Sequence, residues 1–109
     1  MNKALSLLGL AKKAGRVAVG GEAVSGALYQ GTARVVLTAS DAAKNTLRRL
    51  TPYPDVRHIA LPYPKEELGA AVGYQSCSIL AVCDAGFAKA LISALDRQRS
   101  LDKINQAIN

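Results

Sequence analysis

The segment from residue 15 to residue 45, GRVAVGGEAVSGALYQGTARVVLTASDAAKN, constrains the fold most because its hydrophobic period changes repeatedly. A short apolar run precedes the paired glycines Gly20 and Gly21, and a helix-like stretch then extends to Gly31. A β-branched run follows and ends at Ser40 and Asp41. The pattern predicts that helices begin directly after strands at both places, as in α/β domains. Such helix starts expose unpaired backbone N–H groups, which attract anions.

The remainder of the chain continues this alternation. We predict helices over residues 3–14 (capped by Asn2 and ended by Gly15), 22–30, 40–50, 65–72 and from 85 onward after an Asp84 cap, and strands over 16–19, 33–39, 56–61 and 78–83. The continuous apolar run at 33–39 indicates a central strand that is covered on both faces. Prolines bound the strand at 56–61, which is typical of an edge strand.

These elements predict an α/β fold, a three-layer α/β/α sandwich with a roughly four-stranded mixed sheet. We assign residues 1–96 to one domain and residues 97–109 to a C-terminal helical tail. The tail keeps Leu101, Ile104 and Ile108 at helical spacing. It either continues the last helix or forms a separate turn.

The basic residues are concentrated in the first half of the chain. Residues 1–49 hold eight basic side chains against two acidic ones, whereas residues 50–109 hold six of each, so the first half carries the whole net charge of +6. A solvated surface is one explanation of this asymmetry. Placed near two helix starts, however, the positive charge favours a polyanionic partner, and nucleic acid in particular.

The sequence offers little support for catalysis or for a bound cofactor. His58 is the only histidine, and capping explains Ser40, Asp41 and Asp84. Neither a GxGxxG fingerprint nor a phosphate-binding loop accompanies the paired glycines, which argues against a nucleotide-binding enzyme. We therefore expect a protein without enzymatic activity and without a cofactor or metal ion.

The cysteines and the apolar runs also limit the classes of protein to which this chain can belong. Cys77 and Cys83 stand six residues apart, which along a strand is about 20 Å and beyond disulfide reach. No run approaches the ~20 apolar residues that cross a bilayer. We expect a cytoplasmic protein that does not contact membranes. The few aromatic residues do not cluster, which favours recognition of folded RNA by shape and phosphate over stacking of single-stranded bases.

Four blocks of the sequence are similar to a known family. ALSLLGLAKKAGRVAVGGEAV, ARVVLTASDAAKNT, ELGAAVG and ILAVCDAGFAKAL resemble, in the same order, the ribosomal L7Ae/L30e superfamily and its bacterial YlxQ-like branch. The likeness covers about residues 3–95. It implies an α/β/α sandwich whose members bind kink-turn RNA through a glycine-rich helix N-terminus and a nearby loop.

The resemblance also implies where RNA would lie. The family's Gly-x-Asn-Glu motif keeps its glycine at Gly20, whereas Glu22 and Ala23 stand in place of the Asn and Glu. The second contact loop corresponds to residues 74–78. With the nearby basic residues, this predicts RNA contacts by Lys13, Arg16, Gly20, Gly21, Glu22, Ser25, Lys44, Arg48, Gln75, Ser76 and Cys77.

Two functions remain open from the sequence. The first is a non-catalytic RNA-binding protein that associates with ribosomes or with structured, kink-turn-like RNA. The second is a protein-interaction module on the same fold, which has lost specific RNA reading and docks another protein or itself. The altered motif and the amphipathic tail favour the second function, whereas the basic half of the chain favours the first.

Overall fold

The computed structural model describes residues 2–108, with side chains through residue 106. Within this part of the chain, five helices alternate with four strands. Their bounds are α1 Lys3–Lys13, β1 Val17–Val19, α2 Gly21–Gln30, β2 Val35–Thr38, α3 Lys44–Arg48, β3 His58–Ala60, α4 Lys65–Val72, β4 Ile79–Val82 and α5 Ala85–Ile108.

The strands form one mixed sheet in the order β1-β4-β2-β3. β4 is antiparallel to both β1 and β2, with Val17 opposite Val82 and Leu37 opposite Leu80, whereas β3 is parallel to β2. Every residue of β2 and β4 is buried, because helices cover both faces of these central strands. The predicted central strand at 33–39 and the predicted edge strand at 56–61 are both confirmed.

Each face of the sheet has its own hydrophobic core, since successive strand residues point to opposite faces. On one face, Leu8 of α1, Leu68 of α4 and Leu91 of α5 pack with Leu37 and Leu80. On the other face, Val24 and Leu28 of α2 pack with Val36 and Ile79, and the segment after α3 adds Leu50, Tyr53 and Val56. The predicted α/β/α sandwich is therefore confirmed.

Several helix ends follow local sequence signals. The Asn2 side chain accepts a hydrogen bond from the Leu5 N–H (2.9 Å) and caps α1. Gly15 ends the same helix at φ 74°, where a side chain would be strained, and Arg16 N donates to Ala11 O (3.0 Å) as in a Schellman motif. Phe87 N donates to the Asp84 carboxylate (2.8 Å), so the predicted cap of α5 is confirmed.

The predicted helix start at Ser40 and Asp41 is wrong. α3 is a five-residue helix that begins at Lys44, and its N-cap Ala43 provides no side-chain hydrogen bond. Asp41 instead accepts a hydrogen bond from Lys65 N (2.9 Å) at the start of α4. Ser40 N donates to Tyr63 O (2.8 Å). These bonds join the end of β2 to the segment after β3. Residues 40–43 therefore form a turn past the end of β2, and α3 begins only after it.

The C-terminal tail continues α5. This helix contains 24 residues and runs unbroken to Ile108. In its second half it presents Leu101 and Ile104, which are 52% and 55% exposed. The side chain of Ile108, the third member of the predicted apolar stripe, lies outside the described residues, as does Asn109. The division into a domain of residues 1–96 and a tail of residues 97–109 stays a prediction.

Candidate nucleic-acid interface

The start of α2 lies where β1 ends at the edge of the sheet. Gly20 adopts φ 91°, which L side chains rarely adopt, and its N–H donates to Ile79 O (2.9 Å). Gly20 is also the N-cap of α2 and provides no side-chain hydrogen bond. Among the described residues, no acceptor takes the N–H groups of Gly21, Glu22 and Ala23. These donors lie at the positive end of a ten-residue helix.

The Arg49 guanidinium lies against this first turn. Its Nη1 donates to the Ser25 hydroxyl (2.9 Å), and its Nη2 is 3.8 Å from Oε1 of Glu22. The guanidinium also fills the space beside Gly21, where an added Cβ would be only 2.5 Å from Arg49 Nε. Arg49 is therefore held at the helix end by hydrogen bonding, charge and fit. Arg49 is not among the RNA contacts predicted from the sequence.

The nearest carboxylate leaves the helix end accessible. Glu22 is fully exposed and pairs with Arg49, while the backbone N–H groups of the first turn receive no carboxylate from the described chain. An exposed ion pair of this kind contributes little to stability, because solvent screens it. A stronger anion such as phosphate can therefore compete with Glu22 for the guanidinium, which bonds phosphate through two N–H groups.

α3 carries two further cations next to Arg49. Lys44 and Arg48 are exposed and line one shallow surface with Leu47, which agrees with their i, i+4 spacing. Arg48 Nη1 donates to Oδ1 of Asn45 (2.8 Å), so its side chain stays on α3. We call the first turn of α2 (residues 21–23) together with Lys44, Arg48 and Arg49 the basic surface.

The loop between α4 and β4, residues 73–78, lies at the same end of the strands as Gly20. Ser78 O accepts from Ala39 N (2.9 Å), and Ile79, the next residue, accepts the Gly20 N–H. Gln75 and Ser76 are exposed near this point. The loop lies back along α4 so closely that a Cβ on Gly69 would be 2.6 Å from the Ser76 Cα. The close packing fixes the path of the loop.

Cys77 faces inward, unlike its neighbours in the loop. It is only 4% exposed, and its thiol donates to Ile79 O (3.3 Å). Burial raises the pKa of the Cys77 thiol, while hydrogen bonds with the backbone of Ile79 and Gly20 oppose part of that effect. Its side chain packs inside the turn and is not available to contact RNA, although the sequence predicted such a contact at Cys77. Gln75 and Ser76 remain as candidate contacts.

Arg16 lies at the other end of β1 from the first turn of α2, and Lys13 is the last residue of α1. Arg16 precedes β1, and its carbonyl accepts from Cys83 N (2.8 Å) at the end of β4, whereas Gly20 follows β1. Four residues of extended chain separate Arg16 from Gly20 by about 13 Å. The RNA contacts predicted for Lys13 and Arg16 therefore stay predictions. Arg16 lies beside the middle and last turns of α2, where it lines a shallow depression with Gly26 and Gln30.

The only histidine has a structural explanation. His58 Nε2 and the buried Thr38 hydroxyl are 2.8 Å apart across the β2–β3 pair. Partial burial lowers the pKa of His58, so its neutral form is favoured. Among residues 2–108, no group of three or more His, Cys, Asp or Glu side chains is placed to hold a metal ion. Of the helices described, none is both long and apolar enough to cross a membrane.

Comparisons with known proteins match nearly the whole chain. The profile of the ribosomal protein L7Ae/L30e/S12e/Gadd45 family matches residues 2–92. RNA-binding protein YlxQ of Bacillus subtilis (strain 168) is 37% identical over 94 residues, which are 83% of this chain and 92% of that protein.

Solved structures show the same fold. A protein of unknown function from Bacillus halodurans is 32% identical, with a TM-score of 0.78, over 88% of this chain and 99% of that one. The 15.5 kD RNA-binding protein of Giardia lamblia is 15% identical, with a TM-score of 0.65, over 89% of this chain and 85% of that one. At this lower identity the likeness concerns the fold alone.

Proposed function

The chain belongs to the ribosomal protein L7Ae/L30e/S12e/Gadd45 family, and from this premise we propose that it is a non-catalytic RNA-binding protein. Its RNA would be structured and kink-turn-like, and the ribosome is its candidate location in the cytoplasm. The relative from Bacillus subtilis bears the name of an RNA-binding protein. The net charge of +6 suits a polyanionic partner.

The observation that carries the proposal is the position of Arg49 over the first turn of α2. A phosphate placed there would receive hydrogen bonds from free N–H groups at the positive helix end and from a guanidinium that Ser25 already orients. Lys44 and Arg48 would neutralise neighbouring phosphates from α3. Phosphate contacts of this kind position an RNA without reading its bases.

Base contacts would come from the loop and from α2. Gln75 and Ser76 are exposed in the loop at the same end of the strands as Gly20. Their polar side chains can donate and accept hydrogen bonds. Glu22 is fully exposed and stands in the first turn of α2. We expect the fold of the RNA to be recognised mainly through its backbone, with few base-specific bonds.

Binding measured across salt concentrations tests the proposal. Fluorescence anisotropy with a labelled kink-turn RNA and with a plain duplex would give the dependence of affinity on salt for each. If about four phosphates are neutralised, the log–log slope for the kink-turn is roughly −3 to −4. Arg49→Gln should reduce that slope by about one, because one cationic contact is lost.

Arg34→Gln is the matched control. Arg34 is also exposed, but it precedes β2 and its N–H donates to Val82 O, at the opposite end of the strands from the first turn of α2. We expect this variant to keep the slope of the unchanged protein. Absence of binding to both RNAs at low salt would refute the RNA-binding proposal. Equal binding to both would retain RNA binding and reject the kink-turn preference.

The exposed end of α5 favours a second candidate function, a protein-interaction module. Leu101 and Ile104 are both more than half exposed beyond the residues that the family profile matches. Light scattering on the full chain and on residues 1–96 would compare their masses. A concentration-dependent dimer that the truncation abolishes supports self-association through the tail, whereas monomers in both samples exclude it.

A further inference from the structure

A groove between α1 and α4 is unexplained by the interface described above. It has a volume of about 500 Å³, and its lining includes Leu5, Gly9 and Leu10 from α1 and Val72 from α4. The two helices are in close contact here, since a Cβ on Gly9 would be 3.0 Å from Ala71 O. The groove therefore has an aliphatic floor and a size typical of sites that receive apolar side chains.

Two large apolar side chains are exposed around this groove. Leu10, in its lining, is 56% exposed. Tyr74, which follows the groove residue Gly73, is 48% exposed, and the Lys12 ammonium lies 5.9 Å from the centre of its ring. Burying such side chains against a partner removes apolar surface from water and is favourable.

The charged side chains that line the groove are all positive. Lys12 and Lys13 line it, and α1 contains a third lysine, Lys3, but no acidic residue. The groove residues Ala71 and Val72 of α4, and Gly73 after it, are uncharged. A partner that fits this chemistry combines apolar side chains on one face with carboxylates beside them. We infer that the α1–α4 groove binds an acidic amphipathic helix of a partner protein.

The same observations disfavour two other occupants. The chain's own tail is basic, since residues 97–108 contain Arg97, Arg99 and Lys103 against Asp102, so a tail from a second copy would meet like charge. Single-stranded RNA binds best where a positively charged groove is combined with aromatic faces that are free to stack on bases. The floor here is aliphatic, and Lys12 already covers one face of the Tyr74 ring.

The groove and the basic surface lie in different layers of the sandwich. α1 and α4 cover one face of the sheet, while α2 covers the other. A helix in the groove would leave the first turn of α2 open. The chain can then hold RNA on one layer and a protein on the other, a role that goes beyond RNA binding alone.

A pair of synthetic peptides of about 15 residues tests the inference. One peptide carries leucines at positions i, i+3, i+4 and i+7 with glutamates elsewhere, and the second has lysine for every glutamate. Titration into the ¹⁵N-labelled chain, followed by NMR, should shift the amide signals of Ser6, Gly9, Leu10 and Gly73 with the acidic peptide only. Its Kd should fall at roughly 10–100 μM, as expected for one small groove.

Charge reversal and a polar substitution sharpen the test. The double variant K12E/K13E should lose the acidic peptide and gain the basic one, and Leu10→Ser should weaken binding of the acidic peptide about fivefold or more. K89E/K103E changes two exposed lysines of α5 and should bind as the unchanged chain does. All these positions except Lys12 are exposed, and a thermal melt of each variant confirms that it is folded.

Three results would overturn the inference. The first is that the acidic peptide leaves the groove signals unmoved, and the second is that both peptides bind equally. The third is that a kink-turn RNA moves the groove signals while the acidic peptide does not, which would assign the groove to RNA. Weaker RNA binding in Arg49→Gln with unchanged peptide binding would instead show that the two surfaces act independently.

Discussion

Arg49 lies so close to Gly21 that an added Cβ at position 21 would be 2.5 Å from the Nε of the arginine and 2.7 Å from its Cζ. The residues are far apart in sequence, and glycine at the start of α2 leaves the space that the guanidinium occupies. The contact joins α3 to the end of α2 at which the backbone N–H groups are free. The absence of a side chain at Gly21 therefore allows the positive charge of Arg49 to lie at the candidate interface.

Gly21→Ala should displace Arg49 without unfolding the protein. The clashing atoms belong to the far end of a flexible side chain, which can move at small energetic cost. If the proposed function holds, affinity for a kink-turn RNA should fall by about three- to tenfold, because a charge-assisted hydrogen bond is misplaced. Anisotropy titrations give the affinity, and urea unfolding gives the stability.

Gly26→Ala is the control for this change. It lies in the same helix, and nothing is within 4 Å of its added Cβ. Alanine should raise the free energy of unfolding by about 0.5–1 kcal/mol, since glycine is unfavourable inside a helix. RNA affinity should stay unchanged. If both variants lose affinity equally, the loss does not come from Arg49.

Gly69→Ala should be strongly destabilising. Its Cβ would be 2.6 Å from the Cα and 2.8 Å from the N and C atoms of Ser76, so the backbone of the loop after α4 must move. Overpacking of this kind costs about 1–3 kcal/mol. Urea unfolding should show the loss against Gly26→Ala as the reference. A stability equal to that of the unchanged protein would contradict the tight contact between the loop and α4.

Local sequence signals predicted the elements of this fold. They did not predict the contacts between elements that are far apart in the sequence. The buried runs of β2 and β4, the cap at Asn2 and the helix end at Gly15 each depend on neighbours in the chain. Arg48 and Arg49 look equivalent in sequence, yet only Arg49 reaches α2. Their roles differ because successive helix residues point about 100° apart, and no sequence signal shows which side faces α2.

Asp41 and Cys77 illustrate the same limit. Asp41 follows a strand and has the residue type of a helix cap, but the helix it caps is α4, which begins 24 residues later. Cys77 belongs to a loop of small polar residues, but its thiol is buried beneath the turn at Gly20. In both cases the chemistry of the side chain is evident from the sequence. The group to which it bonds is known only once the segments around the strand ends are packed together.

Asp41→Ala should destabilise the protein through α4 and not through α3. It removes the acceptor of Lys65 N, and loss of an N-terminal cap costs about 0.5–2 kcal/mol. Asp41→Asn keeps an oxygen acceptor and should recover most of that loss. Hydrogen exchange should become faster at the start of α4, around residues 65–68. Faster exchange confined to residues 44–48 would instead support the cap of α3 that the sequence analysis predicted.

His58 should make the stability dependent on pH. Burial lowers the pKa of His58 below its ordinary value of 6.5, so the unfolded chain takes up a proton at a higher pH than the folded chain does. Stability is therefore unaffected by this group well above pH 6.5. It falls as the pH drops from about 6.5 to the lower pKa of the folded state.

His58→Gln should remove this component, since glutamine does not titrate. Urea unfolding of both proteins between about pH 8 and pH 5 would show their difference in unfolding free energy changing with pH. The slope should be positive for the unchanged protein relative to the variant, because its unfolded state binds more protons. Parallel curves would mean that His58 titrates alike in the folded and unfolded chains.

The cysteines should differ in reactivity. Burial raises the pKa of Cys77 and shields its sulfur, whereas Cys83 is only partly buried. Alkylation of the native protein, followed by mass spectrometry, should therefore modify Cys83 first, and Cys83→Ser should leave only slow reaction. If Cys77 of that variant reacted as fast as a small free thiol, the turn at Gly20 would be open in solution.

The slow reaction of Cys77 also reports on the loop that precedes β4. Its thiol is buried, so it can react only when the loop that carries Cys77 opens locally. Under the proposed function, a bound kink-turn RNA should slow this reaction further and leave the rate at Cys83 unchanged, since Cys83 follows β4 at the opposite end of the strands from Gly20. Equal protection of both thiols would indicate global stabilisation, and no protection of Cys77 would exclude the loop from the RNA contact.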